Sequence, residues 1–395
     1  MNRDESVTDA PSHGGTQLHH SDLRAGSRRA ASNLALLLAS LVVTLGLGEL
    51  LTRITAPQQL ILKRPDVWQA VDTLGWAHRP NVHTTINTGE RTVQFITDAD
   101  GLRVGARGPI NADTRILLLG DSFIEALQVE YENTVAGLLE ARLPHLIGHP
   151  VAVRNAGVGD WGPPQYYLRA RSLLEREHFD LAVVALYLGN DVADWRPGPI
   201  KPRTPIQTHP LRIPTSLRWA EIIEAVLYPV NDFLETRSQL FILFKTRAQT
   251  VLMRLGLTAD YFPSELLRSA ADSPRWEATA DICHDIAALT QSHGTPTLFV
   301  LIPAPVQVNR RTLKSYLHAF DIDPRNVDLE QPNRLVLRAL STYNLRVIDV
   351  LPAFLAAREG GTKLYGDVDP HLTAQGHDLL EKHIEPAVAA LLYNQ

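Results

Sequence analysis

Residues 116–123 read Ile-Leu-Leu-Leu-Gly-Asp-Ser-Phe, and the rest of the chain is organised around them. Four branched apolar residues closed by Gly120-Asp121-Ser122 predict a strand buried on both faces that stops at a polar turn. Ser122 then stands at a strand's carboxyl end, the edge of an open α/β sheet where ligands bind, and its backbone N–H opens the next helix unpaired. A nucleophile would be useful there. Asp and Ser between a strand and a helix also serve as ordinary helix caps, and the triplet alone does not separate the two roles.

The 395 residues, 45% hydrophobic and 21% charged, are enough for a large buried core. A net charge of −5 without a basic stripe, zinc-finger spacing or basic helix argues against nucleic acid as a partner. Cys283 is the single cysteine, so neither an intrachain disulfide nor a cysteine-built metal site can form.

Residues 1–32, including His19-His20, are polar and without apolar periodicity, and are expected to be a disordered cytoplasmic tail. Residues 34–51 are almost wholly apolar, and eighteen residues at helical rise reach about 27 Å, enough for a hydrocarbon core. Arg24, Arg28 and Arg29 precede them, which predicts a cytoplasmic N-terminus and an exported remainder in the inner membrane. A cleaved signal peptide is the alternative, but no small-x-small site precedes Arg53, and Pro57 spoils Thr55-Ala56. Residues 33–53 are therefore read as an uncleaved single-pass anchor.

Residues 54–113 form a lead-in expected to cover the main domain, with a loop over 75–81 and a short strand over 92–97 turned by Asp98-Ala99-Asp100-Gly101. Over 114–395 strands at 115–119, 151–155, 181–186, 297–302 and 346–350 alternate with helices at about 134–143, 165–177, 276–293, 325–343 and 373–392. That pattern predicts a three-layer α/β/α sandwich around a parallel sheet. An insertion at 196–275 interrupts it, with six prolines over 196–214 and apolar helical stretches around 216–228 and 233–255. A lid or docking surface and a packing appendage are both open for it.

Further polar turns follow other strands: Asn155-Ala156-Gly157-Val158-Gly159-Asp160, then Gly189-Asn190-Asp191. Asp369-Pro370-His371 precedes the last helix. With Gly120-Asp121-Ser122, these blocks resemble the SGNH (GDSL-type) serine hydrolases in kind, order and distance. The lead-in resembles membrane-anchored bacterial members that work near envelope polysaccharide acylation. The resemblance implies the flavodoxin-like SGNH fold and a relay in which Ser122 is the nucleophile, His371 its base and Asp369 the carboxylate orienting that base. It further implies an oxyanion hole from the N–H groups of Ser122 and Gly159 and the Asn190 amide. Two departures matter: Asp160 stands where many relatives have glycine, leaving the donor within 157–160 open, and Asp367 competes with Asp369.

The chemistry asks for these residue types. A serine hydroxyl needs a base within hydrogen-bond reach, the base needs an orienting acceptor, and the oxyanion needs donors already in place. Three functions share the constellation or the anchor: an esterase acting on an O-acetyl ester of carbohydrate, an O-acyltransferase using the same residues, and an inactive binding subunit of a polysaccharide assembly. Acyl transfer to water calls for no cofactor, and no metal or nucleotide signature occurs. His377 is read as a surface or satisfied histidine and not a second base. Trp161 and Trp195 are read as packing beside the motif blocks, with an acyl pocket the alternative, and Gln307 as a residue at the catalytic edge that can reach substrate.

Overall fold

Successive side chains on a strand point to opposite faces, so a run without polar residues must be covered twice. That is what the computed structural model of the chain contains. Ile116 and Leu118 belong to one core with Val135, Leu139, Phe354, Leu380 and Val388. Leu117 and Leu119 belong to another with Tyr166, Leu173, Trp276, Ile286 and Val336. The residues described are 18–58, 66–88, 90–193, 230, 233–234, 237–254, 262–367 and 369–393.

The chain divides into two compact units, Met1–Ala56 and Pro57–Gln395. In the first, helix α1 (Leu18–Thr55) carries one stretch, Ala31–Thr55, long and apolar enough to cross a membrane. It begins inside the stretch expected to lack structure. Extending a formed helix through Arg- and Ala-rich sequence is far cheaper than nucleating one, and the apolar run supplies the nucleus.

The second unit contains strands β1 (Trp68–Val71), β2 (Gly75–His78), β3 (His83–Asn87), β4 (Thr92–Thr97), β5 (Arg103–Val104), β6 (Thr114–Leu119), β7 (Val151–Asn155), β8 (Leu181–Tyr187), β9 (Thr297–Ile302) and β10 (Val347–Asp349). Its helices are α2 (Ser122–Glu125), α3 (Val135–Ile147), α4 (Pro163–Leu174), α5 (Gln239–Arg254), α6 (Arg275–Ser292), α7 (Pro305–Val308), α8 (Arg310–Ala319), α9 (Gln331–Ser341), α10 (Leu351–Glu359) and α11 (Ala374–Tyr393). Eight strands form one sheet in the order β10-β9-β8-β6-β7-β5-β4-β3. Strands β6 to β10 are parallel and in doubly wound order, with β6 between β7 and β8. The carboxyl ends of these three strands therefore meet at the switch point.

The lead-in departs from expectation. Residues 83–104 extend the sheet with antiparallel strands, β5 joining β7 through Arg103 and Asn155. Residues 75–78, expected as loop, pair with Trp68–Val71 in a hairpin whose Trp68 and Trp76 enter the core with Leu117. Four residues are too few to show strand periodicity, and Gly75 and Pro80 punctuate them like a loop. The expected helix over 325–343 is shorter: a 3-10 turn at Pro324–Asn326 precedes α9, which starts at Gln331 beside Pro332, a residue suited to a first helical turn. Within the insertion, helix α5 falls inside 233–255, whereas 196–229 lies outside the described residues, as does Trp195.

Candidate active site

The turn after β6 is one helical turn. Asp121 caps it by accepting from the Phe123 N–H at 2.9 Å, and Ala126 ends it in the left-handed region at φ 56. A left-handed alanine is unfavourable. Its carbonyl is held by Arg103 Nη1, which also takes the Glu125 carbonyl at 2.6 Å, while Nη2 takes Val129 O at 2.6 Å. Burial lowers the Arg103 pKa to about 10, against the raising effect of Glu125 and other acids. No local pattern points to this arginine, because its partners are backbone carbonyls set by the tertiary fold.

Ser122 Oγ lies 2.8 Å from His371 Nε2, and His371 Nδ1 is hydrogen-bonded to Asp369 Oδ1. A carboxylate only accepts, so Nδ1 carries the proton and Nε2 presents its lone pair to the serine hydroxyl. Asp369 is 1% exposed, and its Oδ2 accepts from Gln128 Nε2 at 2.7 Å. Gln128 is a second residue that no motif signalled. Burial pulls the His371 pKa down, but the bond and charge of Asp369, with Asp121 and Glu125 beyond, leave it above the ordinary imidazole value. Asp367 points elsewhere, its carboxylate 2.7 Å from Lys363 Nζ.

The turn after β7 settles against the same serine. Asn155 bridges the two turns, donating to Ile124 O at 3.0 Å and accepting the Gly157 N–H at 3.1 Å. The Val158 N–H goes to Gly120 O at 3.2 Å. Among the described residues neither the Gly159 nor the Ser122 N–H has an acceptor. A Cβ at Gly159 would stand 2.7 Å from Glu125 Oε2, so a side chain there would have to displace that carboxyl. At the end of β8, Asp191 Oδ2 accepts from the Tyr187 N–H at 2.8 Å and Tyr166 Oη at 3.0 Å, which fixes the turn that carries Asn190. Burial, opposed by the Phe123 N–H, His371 and Asn190, raises Asp121 to about 6, and burial beside Asp121 puts Asp191 well above the carboxylate range.

Other expected residues take no part in the Ser122–His371–Asp369 contacts. Gln307 is buried and spent on structure: its Oε1 accepts the Ala304 N–H at 2.7 Å and its Nε2 donates to Leu329 O at 2.6 Å, so it does not face substrate. His377 is buried and not on the surface, and burial with Arg103 and His371 nearby holds its pKa down at about 3, a neutral ring. Trp161 packs in the core and donates to Trp76 O at 3.0 Å.

No family model and no curated protein matches the chain. Solved structures do match. A G-D-S-L family lipolytic protein from Veillonella parvula DSM 2008 is 11% identical, with 69% of this chain and 96% of that one covered and a TM-score of 0.36. For a lipase/acylhydrolase from Enterococcus faecalis the values are 14%, 70%, 96% and 0.37. For the acetyl xylan esterase AlAXEase they are 13%, 69%, 99% and 0.39. Identities this low say nothing about which residues act, or on what. By its four motif blocks the chain resembles the SGNH (GDSL-type) hydrolases.

Proposed function

We propose that the protein is a membrane-anchored serine esterase that cleaves O-acetyl esters of carbohydrate outside the cytoplasm. The observation that carries the esterase reading is the unbroken contact from Ser122 Oγ through His371 to buried Asp369. Ser122 Oγ attacks the ester carbonyl carbon while His371 Nε2 takes its proton, and Asp369 stabilises the imidazolium. The oxyanion accepts hydrogen bonds from the Ser122 and Gly159 N–H groups and the Asn190 amide. The C–O bond to the alcohol then breaks, and the departing oxygen takes the proton from Nε2. Water attacks the acyl-serine with His371 as base, releasing the acid and restoring the serine.

The carbohydrate reading rests on the motif resemblance and on the anchor, which holds the domain where envelope polysaccharide is met. A fluorophosphonate probe applied to the full chain in detergent should label wild type and leave Ser122→Ala unlabelled, because only a base-activated serine reacts readily. No labelling of folded wild type would refute the esterase. With an activated acetyl ester and an acetylatable polysaccharide, free acetate is the expected product; acetylated sugar in its place would make the protein an O-acyltransferase.

A further inference from the structure

A second buried pair stands against the same serine, and the relay makes no use of it. Glu125, three residues after Ser122, and His78, from the lead-in hairpin, have side chains 2% and 1% exposed. Glu125 Oε1 lies 2.5 Å from His78 Nε2 and accepts from Trp68 Nε1 at 3.1 Å. His78 Nδ1 lies 3.2 Å from Gly101 O, and a carbonyl can only accept, so Nδ1 carries a proton. A further proton must lie between Nε2 and Oε1, since two lone pairs would not approach so closely. Whichever atom holds that proton, the pair as a whole is neutral.

The other carboxyl oxygen, Glu125 Oε2, abuts Gly159 on the side where its Cβ would be, and Ser122 Cβ lies 3.8 Å from that same position. The same hairpin holds that glycine from behind, Trp76 Nε1 donating to Gly159 O at 2.9 Å. An unpaired carboxylate here would repel the oxyanion across a low-dielectric gap, where such repulsion is large.

We propose that Glu125 and His78 are positioning residues acting as one neutral pair, which seats the Gly159 turn against Ser122 without setting a net negative charge beside the oxyanion. The inference rests on the esterase reading for its effect on rate, but not for the pair itself. A merely structural histidine and this pair differ in what rescues its loss. His78→Asn leaves the Glu125 carboxyl without its partner, so at alkaline pH, where a lone carboxyl ionises, kcat should fall ~100-fold, the scale of a lost oxyanion donor, with KM little changed. Adding Glu125→Gln removes the stranded charge and should recover most of that loss. A double variant no more active than His78→Asn would overturn the proposal, because packing damage would only accumulate. In the wild-type chain labelled with ¹⁵N-histidine, a strongly downfield imidazole proton assigned to His78 is expected in the absence of substrate. If that signal is missing the pair is wrong, whereas a folded wild type that the phosphonate leaves unlabelled counts against the esterase reading alone.

Discussion

At the scale of single residues, the proposed base His371 sets the pH behaviour. Its pKa is raised, so the protonated ring, useless as a base, persists to higher pH than in free imidazole. kcat/KM should therefore climb through an apparent pKa above about 6.5, the ordinary histidine value. Asp369→Asn removes the main raising partner, so the acid limb should move to lower pH while turnover drops by up to ~10⁴-fold through the wrong tautomer. Asp367→Asn, whose carboxylate is 75% exposed and paired with Lys363, should cost little. Kinetics that reverse the two aspartates would move the relay to Asp367. With Asn190 as the proposed oxyanion donor, Asn190→Ala should lower turnover ~100-fold with the circular dichroism spectrum intact. Weakened binding at unchanged turnover would exclude that role.

At the scale of elements, the site depends on how β7 is held beside β6. Strand β5 pairs with β7 only at Asn155, and the Val153 N–H is met at 2.9 Å by Glu140 Oε1 from α3. Burial raises the Glu140 pKa from 4.5 to about 7, against the Val153 and Tyr131 hydrogen bonds. A raised carboxyl pKa contributes stability that is complete below the unfolded value and is lost as pH rises through the folded one. Glu140→Gln keeps an acceptor for Val153 and never ionises. Its unfolding free energy from urea titration should match wild type near pH 4 and exceed it above pH 7, by at most about 3 kcal/mol. A variant less stable at pH 8 would show that the ionised carboxylate is favoured there. The same logic of enforced geometry applies to α2, where the buried guanidinium of Arg103 holds the carbonyl of the left-handed Ala126 and keeps the serine turn short.

At the scale of the molecule, the stretch Ala31–Thr55 is long and apolar enough to cross a membrane, and under the proposed function it sets where the chemistry takes place. Arg24, Arg28 and Arg29 on its N-terminal side predict that a reporter fused after Gln395 is active only outside the cytoplasm. Activity inside would reverse the orientation. The lead-in gives the eight-stranded sheet its strands β3, β4 and β5, beside the motif-bearing strands, and forms a separate β1–β2 hairpin. Its hairpin supplies Trp68, Trp76 and His78 to the walls behind Ser122.

What the sequence determined by itself is what local pattern can carry. The run from Ile116 to Leu119 has no polar face, so it had to be a central strand, and the polar turns after such strands had to meet at one edge. Proximity in sequence likewise places Asp369 two residues from His371. Only the tertiary structure decided the rest, because the deciding contacts join distant residues of unremarkable type. Gln128 meets Asp369 across 241 positions, Arg103 reaches the carbonyls at 125–129, and Glu125 meets His78 across 47. The hairpin strands of the lead-in are short and punctuated by Gly75 and Pro80, and β3 to β5 join the eight-stranded sheet only through the pairing of β5 with β7, an interaction that no local periodicity encodes.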